Sequence, residues 1–245
     1  VIPLYDENPR TSIPIITLCL IAINVVVFLA QGVAGLQQWP WAMVPSLVTH
    51  SGPGLVASGN EMYRMNRAAL DPAWLTIFSS MFMHGGLIHL GGNMLFLWVF
   101  GDNLEDALGK IRYLLFYLLG GVAAALFHIL SAPTSQVPTV GASGAIAAVM
   151  GGYILLFPHA RIRALVPLGL FVTVTSVPAY FVLGLWFLYQ LLLGSLGQAG
   201  AGGGGVAYWA HVGGFVAGFL TVKLFGPRVR PRYTFEPRRY DGRWW

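Results

Sequence analysis

From Ile13 to about Leu29 the chain is apolar apart from Thr17, Cys19 and Asn24, and comparable runs recur as far as Phe225. About 20 such residues in a helix cross the roughly 30 Å hydrocarbon core of a bilayer. Composition agrees. Charged residues make up 9% of the 245 and hydrophobic residues 56%, with a mean hydropathy of +0.67. A soluble domain carries about 25% charged residues, so this chain lacks the polar surface that water requires.

Six spans are expected: Ile13 to Leu29, a second leading from His84–Asn93 through Phe100, Tyr113 to Leu130, Ser143 to Phe157, Pro178 to Leu193, and Val206 to Phe225. The fold class is therefore an all-α membrane protein, a six-transmembrane-helix bundle with a long external first loop. One domain, 13–225, lies between a polar N-terminal segment, 1–12, and a basic tail, 226–245. The first run is long for a cleaved signal peptide and no A-x-A site follows it, so it is read as a retained helix. Residues 31–83 carry Trp39, Trp41, Tyr63 and Trp74, amphipathic rings that collect at the headgroups, and are read as short interfacial helices on the outer surface. Residues 162–177 alternate and are β-branched, which points to a small hairpin. Residues 194–205 are nearly all Gly, Ala and Ser, a flexible loop. The single cysteine excludes an internal disulfide framework.

Six spans put both termini on one side, together with Arg10, Lys110, Arg112, Arg161, Arg163 and the six arginines of the tail, leaving Arg64 and Arg67 opposite. By the positive-inside rule the shared side is the cytoplasm. The net charge of +5 is thereby a topology signal and gives no reason to expect nucleic acid as a partner. The tail can meet anionic membrane lipid.

Chemistry concentrates in few residues. Gly141-Ala142-Ser143-Gly144 opens the fourth span with one hydroxyl among residues almost without side chains. Small residues at this spacing also serve close helix packing. What favours a site is His211, on the bare face made by Gly214 and Gly218, which can press against Ala147 and Gly151. Ser143 and His211 both stand near the outer end of inward-running spans, so their depths match. A serine beside a histidine is an activated nucleophile, the imidazole taking the hydroxyl proton and returning it to the leaving amine. No carboxylate lies at that depth, so the arrangement is a dyad. His89 and Asn93, four residues apart, share a helix face. A zinc site lacks a fourth ligand, and no metal or cofactor is expected. Glu105 is read as closing the inner end of the second span near Lys110 or Arg112. His84 is read as bonding the loop backbone at the mouth, His128 and His159 as interfacial, and His50 as a surface residue. A transporter would need polar groups along a path through the membrane, whereas these cluster near one face.

His84-x4-His89-x3-Asn93, Gly101-x3-Glu105-x3-Gly109, Gly141-x-Ser143-Gly144 and Ala210-His211-x2-Gly214-x3-Gly218 occur in this order over residues 75–225. In this set the chain resembles the rhomboid intramembrane serine proteases, particularly the bacterial six-span type. The resemblance implies a serine endopeptidase that acts on transmembrane protein substrates in a bacterial plasma membrane. Ser143 would be the nucleophile and His211 the general base and acid. His89, Asn93 and the Ser143 N–H would donate to the oxyanion, with Gly141 and Ala142 in the same oxyanion and substrate-binding group. The loop before the sixth span would be a mobile cap. The alternative within this family is a non-catalytic relative that binds membrane helices, against which the presence of both Ser143 and His211 argues. Two positions depart from the family pattern. Trp74 is followed by Leu75 and Thr76 where many members have a Trp-Arg pair, and Ala147 stands where several have an aromatic stacked on the histidine. Oligomeric state has no signature in the sequence.

Overall fold

Helix α6, Ser143–Leu156 in the computed structural model of the chain, is buried at every position from Ala145 to Tyr153. It is apolar on all sides, and a helix of that kind belongs in the middle of a bundle. The structure describes residues 1–33, 41–49, 55–58, 61–64, 72–168, 171–196 and 206–226. Around α6 stand α4 (Leu87–Leu108), α5 (Lys110–Ser131) and α8 (Tyr208–Thr221), while α1 (Ile15–Val33) packs on α4 and α7 (Ala179–Ser195) on α8. Two short helices, α2 (Pro45–Thr49) and α3 (Thr76–Ser80), lie in the connection between α1 and α4.

The α6–α8 contact is made of missing side chains. A Cβ on Gly214 would overlap the Gly144 carbonyl, one on Gly218 the Ala148 carbonyl, and one on Gly151 the Phe215 carbonyl. The two backbones are therefore in van der Waals contact, as small residues allow in membranes. The expected pressing of these helices is present, with Gly144 and Ala148 in the seam in place of Ala147, which is fully buried elsewhere in the core.

Helices α4 and α5 are separated by Gly109 alone, at φ 78°, a conformation that glycine adopts without strain. Lys110 and Arg112 thus stand in the first turn of α5. The turn end of the bundle is fixed by polar contacts. Glu105 accepts from the N–H groups of Ile16 and Thr17 at 3.0 and 2.8 Å and from the Thr17 hydroxyl at 2.9 Å. It caps the first turn of α1, whose N–H groups have no partners within the helix; the expected closing role at this end of the second span is thus filled through α1. Arg112 donates to the carbonyls of Phe225 and Gly226, past the end of α8.

The chain is not all-α. β1 (Ile2–Asp6), β4 (Arg161–Leu168) and β5 (Phe171–Pro178) form an antiparallel sheet in the order β1-β4-β5, with Arg161 opposite Pro178 and Ile162 opposite Val177. The hairpin read from the alternation at 162–177 is there. The β1 strand was not expected, and a second hairpin, β2 (Leu55–Ser58) with β3 (Glu61–Arg64), stands where only interfacial helices were expected. The sheet lies outside the long apolar helices, where strands with open edges can exist. Asp6 inserts from β1 between helices. Its Oδ2 accepts from the Tyr153 hydroxyl and from Asn103 Nδ2, both at 2.6 Å, tying β1 to α6 and α4.

Helices α1 and α5 are long and apolar enough to cross a membrane, and α6 and α7 are shorter apolar helices. Large apolar side chains stay exposed along α1 (Leu18, Val26, Leu29), α5 (Leu115, Leu119) and α7 (Phe181, Leu188, Leu192). Outer faces of this kind suit lipid in place of water.

Candidate active site

The segment ahead of α6 is held from two sides. Thr139 forms an antiparallel bridge with Met43, and the Gly141 N–H donates to the Ser80 carbonyl at 2.9 Å. The long connection before α4 thus positions the turn into Ser143. Gly141 has φ 131°, outside the range of ordinary L residues. Ala142 is the N-cap of α6; its carbonyl accepts from the Ile146 N–H at 2.9 Å and its methyl is fully buried in the core.

Ser143 and His211 meet. His211 stands one turn into α8, 9% exposed, and its Nε2 is 2.7 Å from Ser143 Oγ. The backbone seam described above brings α8 close enough for this distance. On the other side of the ring, His211 Nδ1 is 2.8 Å from Gln190 Oε1 on α7. The Trp186 ring lies with its centroid 5.8 Å from that of His211, tilted by 35°.

His89 and Asn93 face the same place from α4. A Cβ at Gly141 would lie 2.8 Å from His89 Nε2 and 3.6 Å from Asn93 Nδ2, so both nitrogens converge on the backbone two residues before the serine. The Gly85 N–H donates to His89 Nδ1 at 3.4 Å, which leaves the neutral ring's proton on Nε2, the nitrogen turned toward the site. Asn93 Nδ2 is buried without a hydrogen-bond partner among the described residues. A buried donor without an acceptor calls for an explanation, and a ligand oxygen is one. Ser143, His211, His89, Asn93 and Gly141 all line one cavity of about 960 Å³.

Other expected residues have different places. The backbone of His84 exchanges two hydrogen bonds with the Gln31 side chain, and its ring meets His89 edge to face at 5.1 Å. His128 is buried and pairs through Nε2 with the Thr139 hydroxyl at 3.2 Å, so it supports the strand-like turn before α6. His159 is exposed against Tyr180. His50, Arg67, most of the expected cap (197–205) and the basic tail from residue 227 lie outside the described residues. No group of three or more metal-ligating side chains occurs among the described residues. Sequence reasoning missed Gln190 and Trp186. The available signal was an amide and a large aromatic one helical turn apart in an otherwise apolar span.

The Rhomboid domain family matches residues 71–228, well over half of the chain. Rhomboid protein 1, mitochondrial, of Saccharomyces cerevisiae is 34% identical over 154 residues, 60% of this chain and 40% of that protein. RHOMBOID-like protein 4 of Arabidopsis thaliana is 32% identical over 170 residues, 69% of this chain and 38% of its own length. Rhomboid protease GluP of Bacillus subtilis is 26% identical over 153 residues, 62% of this chain and 26% of its own. The chain spans well under half the length of these relatives. It belongs to the rhomboid family, and it is a helical integral membrane protein.

Proposed function

We propose that this rhomboid is an intramembrane serine endopeptidase that hydrolyses peptide bonds in or near transmembrane segments of membrane proteins, with Ser143 as nucleophile and His211 as its base. The observation that carries the reading is the 2.7 Å contact between His211 Nε2 and Ser143 Oγ. Ser143 Oγ attacks the scissile carbonyl carbon as its proton passes to Nε2. The carbonyl oxygen, now an anion, accepts hydrogen bonds from His89 Nε2–H, Asn93 Nδ2 and the Ser143 N–H, one of the donors that a helix start leaves unpaired. Collapse of the tetrahedral adduct breaks the C–N bond, and His211 gives its proton to the departing amine. Water, deprotonated by the same nitrogen, then hydrolyses the ester and restores the serine.

Depth supports the same chemistry. A helix of 14 residues is about 21 Å long, short of the roughly 30 Å hydrocarbon layer. If α6 reaches the sheet-side surface, Ser143 starts below the opposite one, and the cavity is the route by which water arrives. In this arrangement α1 and α4 to α8 are six spans, the sheet and both termini face the cytoplasm, and residues 34–83 and 197–205 face outward. The host membrane in this reading is a bacterial plasma membrane, which rests on the motif resemblance to the bacterial six-span type alone. Substrate helices rich in Gly, Ala or Pro near the outer face should unwind into the site most readily.

A serine-directed fluorophosphonate tests the reading. It should label the protein but not a Ser143→Ala variant, and the same variant should leave a reconstituted membrane-spanning substrate intact. Equal labelling of both proteins would end the proposal.

A further inference from the structure

The hydrogen bond on the far side of the His211 ring has no part in the reaction as written above. Gln190 is 5% exposed and belongs to α7, a helix that contributes nothing else polar to the site. Its Oε1 faces His211 Nδ1 at 2.8 Å. Trp186 lies one turn earlier on the same face of α7 and covers the ring itself. Where Ala147 leaves α6 without an aromatic to stack on His211, α7 brings both the ring cover and the edge contact.

We propose that Gln190 is the positioning residue of the dyad: a neutral acceptor that holds the His211 proton on Nδ1 and so leaves Nε2 bare to take the proton of Ser143. The inference rests on the serine-protease reading of Ser143 and His211. A neutral imidazole carries one proton, and whichever nitrogen holds it cannot act as a base. An acceptor at Nδ1 selects the tautomer the reaction needs, the role that a carboxylate fills in a triad. The opposite orientation of the amide would place a donor against Nδ1 and drive the proton to Nε2, the unreactive form. An amide does this without placing an ion at membrane depth, where a carboxylate is costly. It also selects the tautomer without favouring the doubly protonated ring, so the base stays available to lower pH than it would beside a carboxylate. The other titratable side chains that act on His211 are His89 on α4 and His128 on α5; α6 and α7 bring no charged group to it.

The test uses the full chain, reconstituted, with Gln190→Leu and Gln190→Glu beside the wild type and Ser143→Ala. Gln190→Leu should lower kcat by about 10²-fold with little change in KM. Gln190→Glu restores an acceptor and adds charge; it should keep much of the turnover at high pH, with the acid limb of its pH–rate profile moved upward. Independently of turnover, ¹⁵N spectra of histidine-labelled protein, with the His211 signals assigned from a His211→Ala sample, read which nitrogen carries the proton. Nδ1–H in the wild type and a tautomer mixture in Gln190→Leu are expected. Wild-type kcat or an unchanged tautomer in Gln190→Leu, or a proton found on Nε2 in the wild type, would overturn the proposal. If the wild type neither cleaves nor labels, the protease reading fails on its own, and the spectra still decide whether Gln190 sets the tautomer. Should Gln190→Leu not fold, an unshifted acid limb in Gln190→Glu overturns the proposal instead.

Discussion

Glu105 on the last turn of α4 and Thr17 on the first turn of α1 share two hydrogen bonds, 2.8 Å to the N–H and 2.9 Å to the hydroxyl, with the carboxylate 1% exposed. Hydrogen bonds to a charged group contribute about 1.5–3 kcal/mol each, and removing the acceptor strands buried donors. Glu105→Ala should therefore destabilise the protein by several kcal/mol, on the order of 3. Thermal unfolding in a fixed detergent measures it. Glu105→Gln keeps an acceptor and should lose less than Glu105→Ala.

The dyad predicts non-additivity. Ser143→Ala and His211→Ala should each abolish cleavage while the protein inserts and purifies normally, and the double variant should be little worse than either, because the two residues act as one unit. Near-normal turnover in His211→Ala would remove the base from the mechanism.

His89→Ala and Asn93→Ala should each slow turnover by about 10²–10³-fold with substrate affinity nearly unchanged, the signature of a donor that acts on developing charge. The serine should still react with a strong phosphonate probe. Gly141→Ala should be at least as damaging, since its methyl would meet His89 Nε2 at 2.8 Å from a backbone at φ 131°. Normal turnover in Asn93→Ala would leave that amide a packing group.

Gly214→Ala and Gly218→Ala should both lose activity, because each new methyl would displace α8 from the α6 carbonyls it rests on. Gly184 on α7 is the control. A methyl there meets nothing within 4 Å, so Gly184→Ala should keep full activity and gain about 0.5–1 kcal/mol of helix stability.

Burial pushes the Asp6 carboxyl up from 3.8 to about 7, the Tyr153 hydroxyl opposing that and the Asp102 charge adding to it. The folded chain then holds this proton more tightly than the unfolded one. Its stabilising contribution is complete below about pH 4 and is lost as the pH rises through about 7, a loss on the order of a few kcal/mol. Asp6→Asn keeps acceptor geometry for Tyr153 and should flatten this part of the stability profile. Unfolding midpoints of the two proteins between pH 4 and 8 give the difference; parallel profiles would disprove it.

The sequence made the apolar helices legible because each is a local pattern. α6 and α7 fall within a residue or two of their expected limits, and the β4–β5 hairpin shows as alternation. Ser143 and His211 could be paired because small residues mark the contacting faces of both helices and the two side chains stand at matching depths. What stayed hidden depends on distant partners. Ile2–Asp6 contains a proline and no clear alternation, and it becomes a strand only because β4 offers it an edge more than 150 residues away. Glu105 was read as closing its end of the second span, but its partners, backbone groups and a hydroxyl of α1, are invisible to any charge pattern. Gln190 was passed over because a lone amide in a span has many possible partners and only the α7–α8 packing selects one.

The seam between α6 and α8 has one more consequence. The spacing of Ser143 and His211 is set by atoms that are absent, carried along a line that starts at Gly144 beside the cavity and runs through Gly214 to Gly151 and Gly218, which do not line it. A saturation scan scored on turnover alone would rank those positions with Ser143 and His211. The resulting map of sensitive sites would trace a stripe down the helix pair where a pocket was expected, and only a separate score for folded protein would divide the residues that react from those that hold the gap.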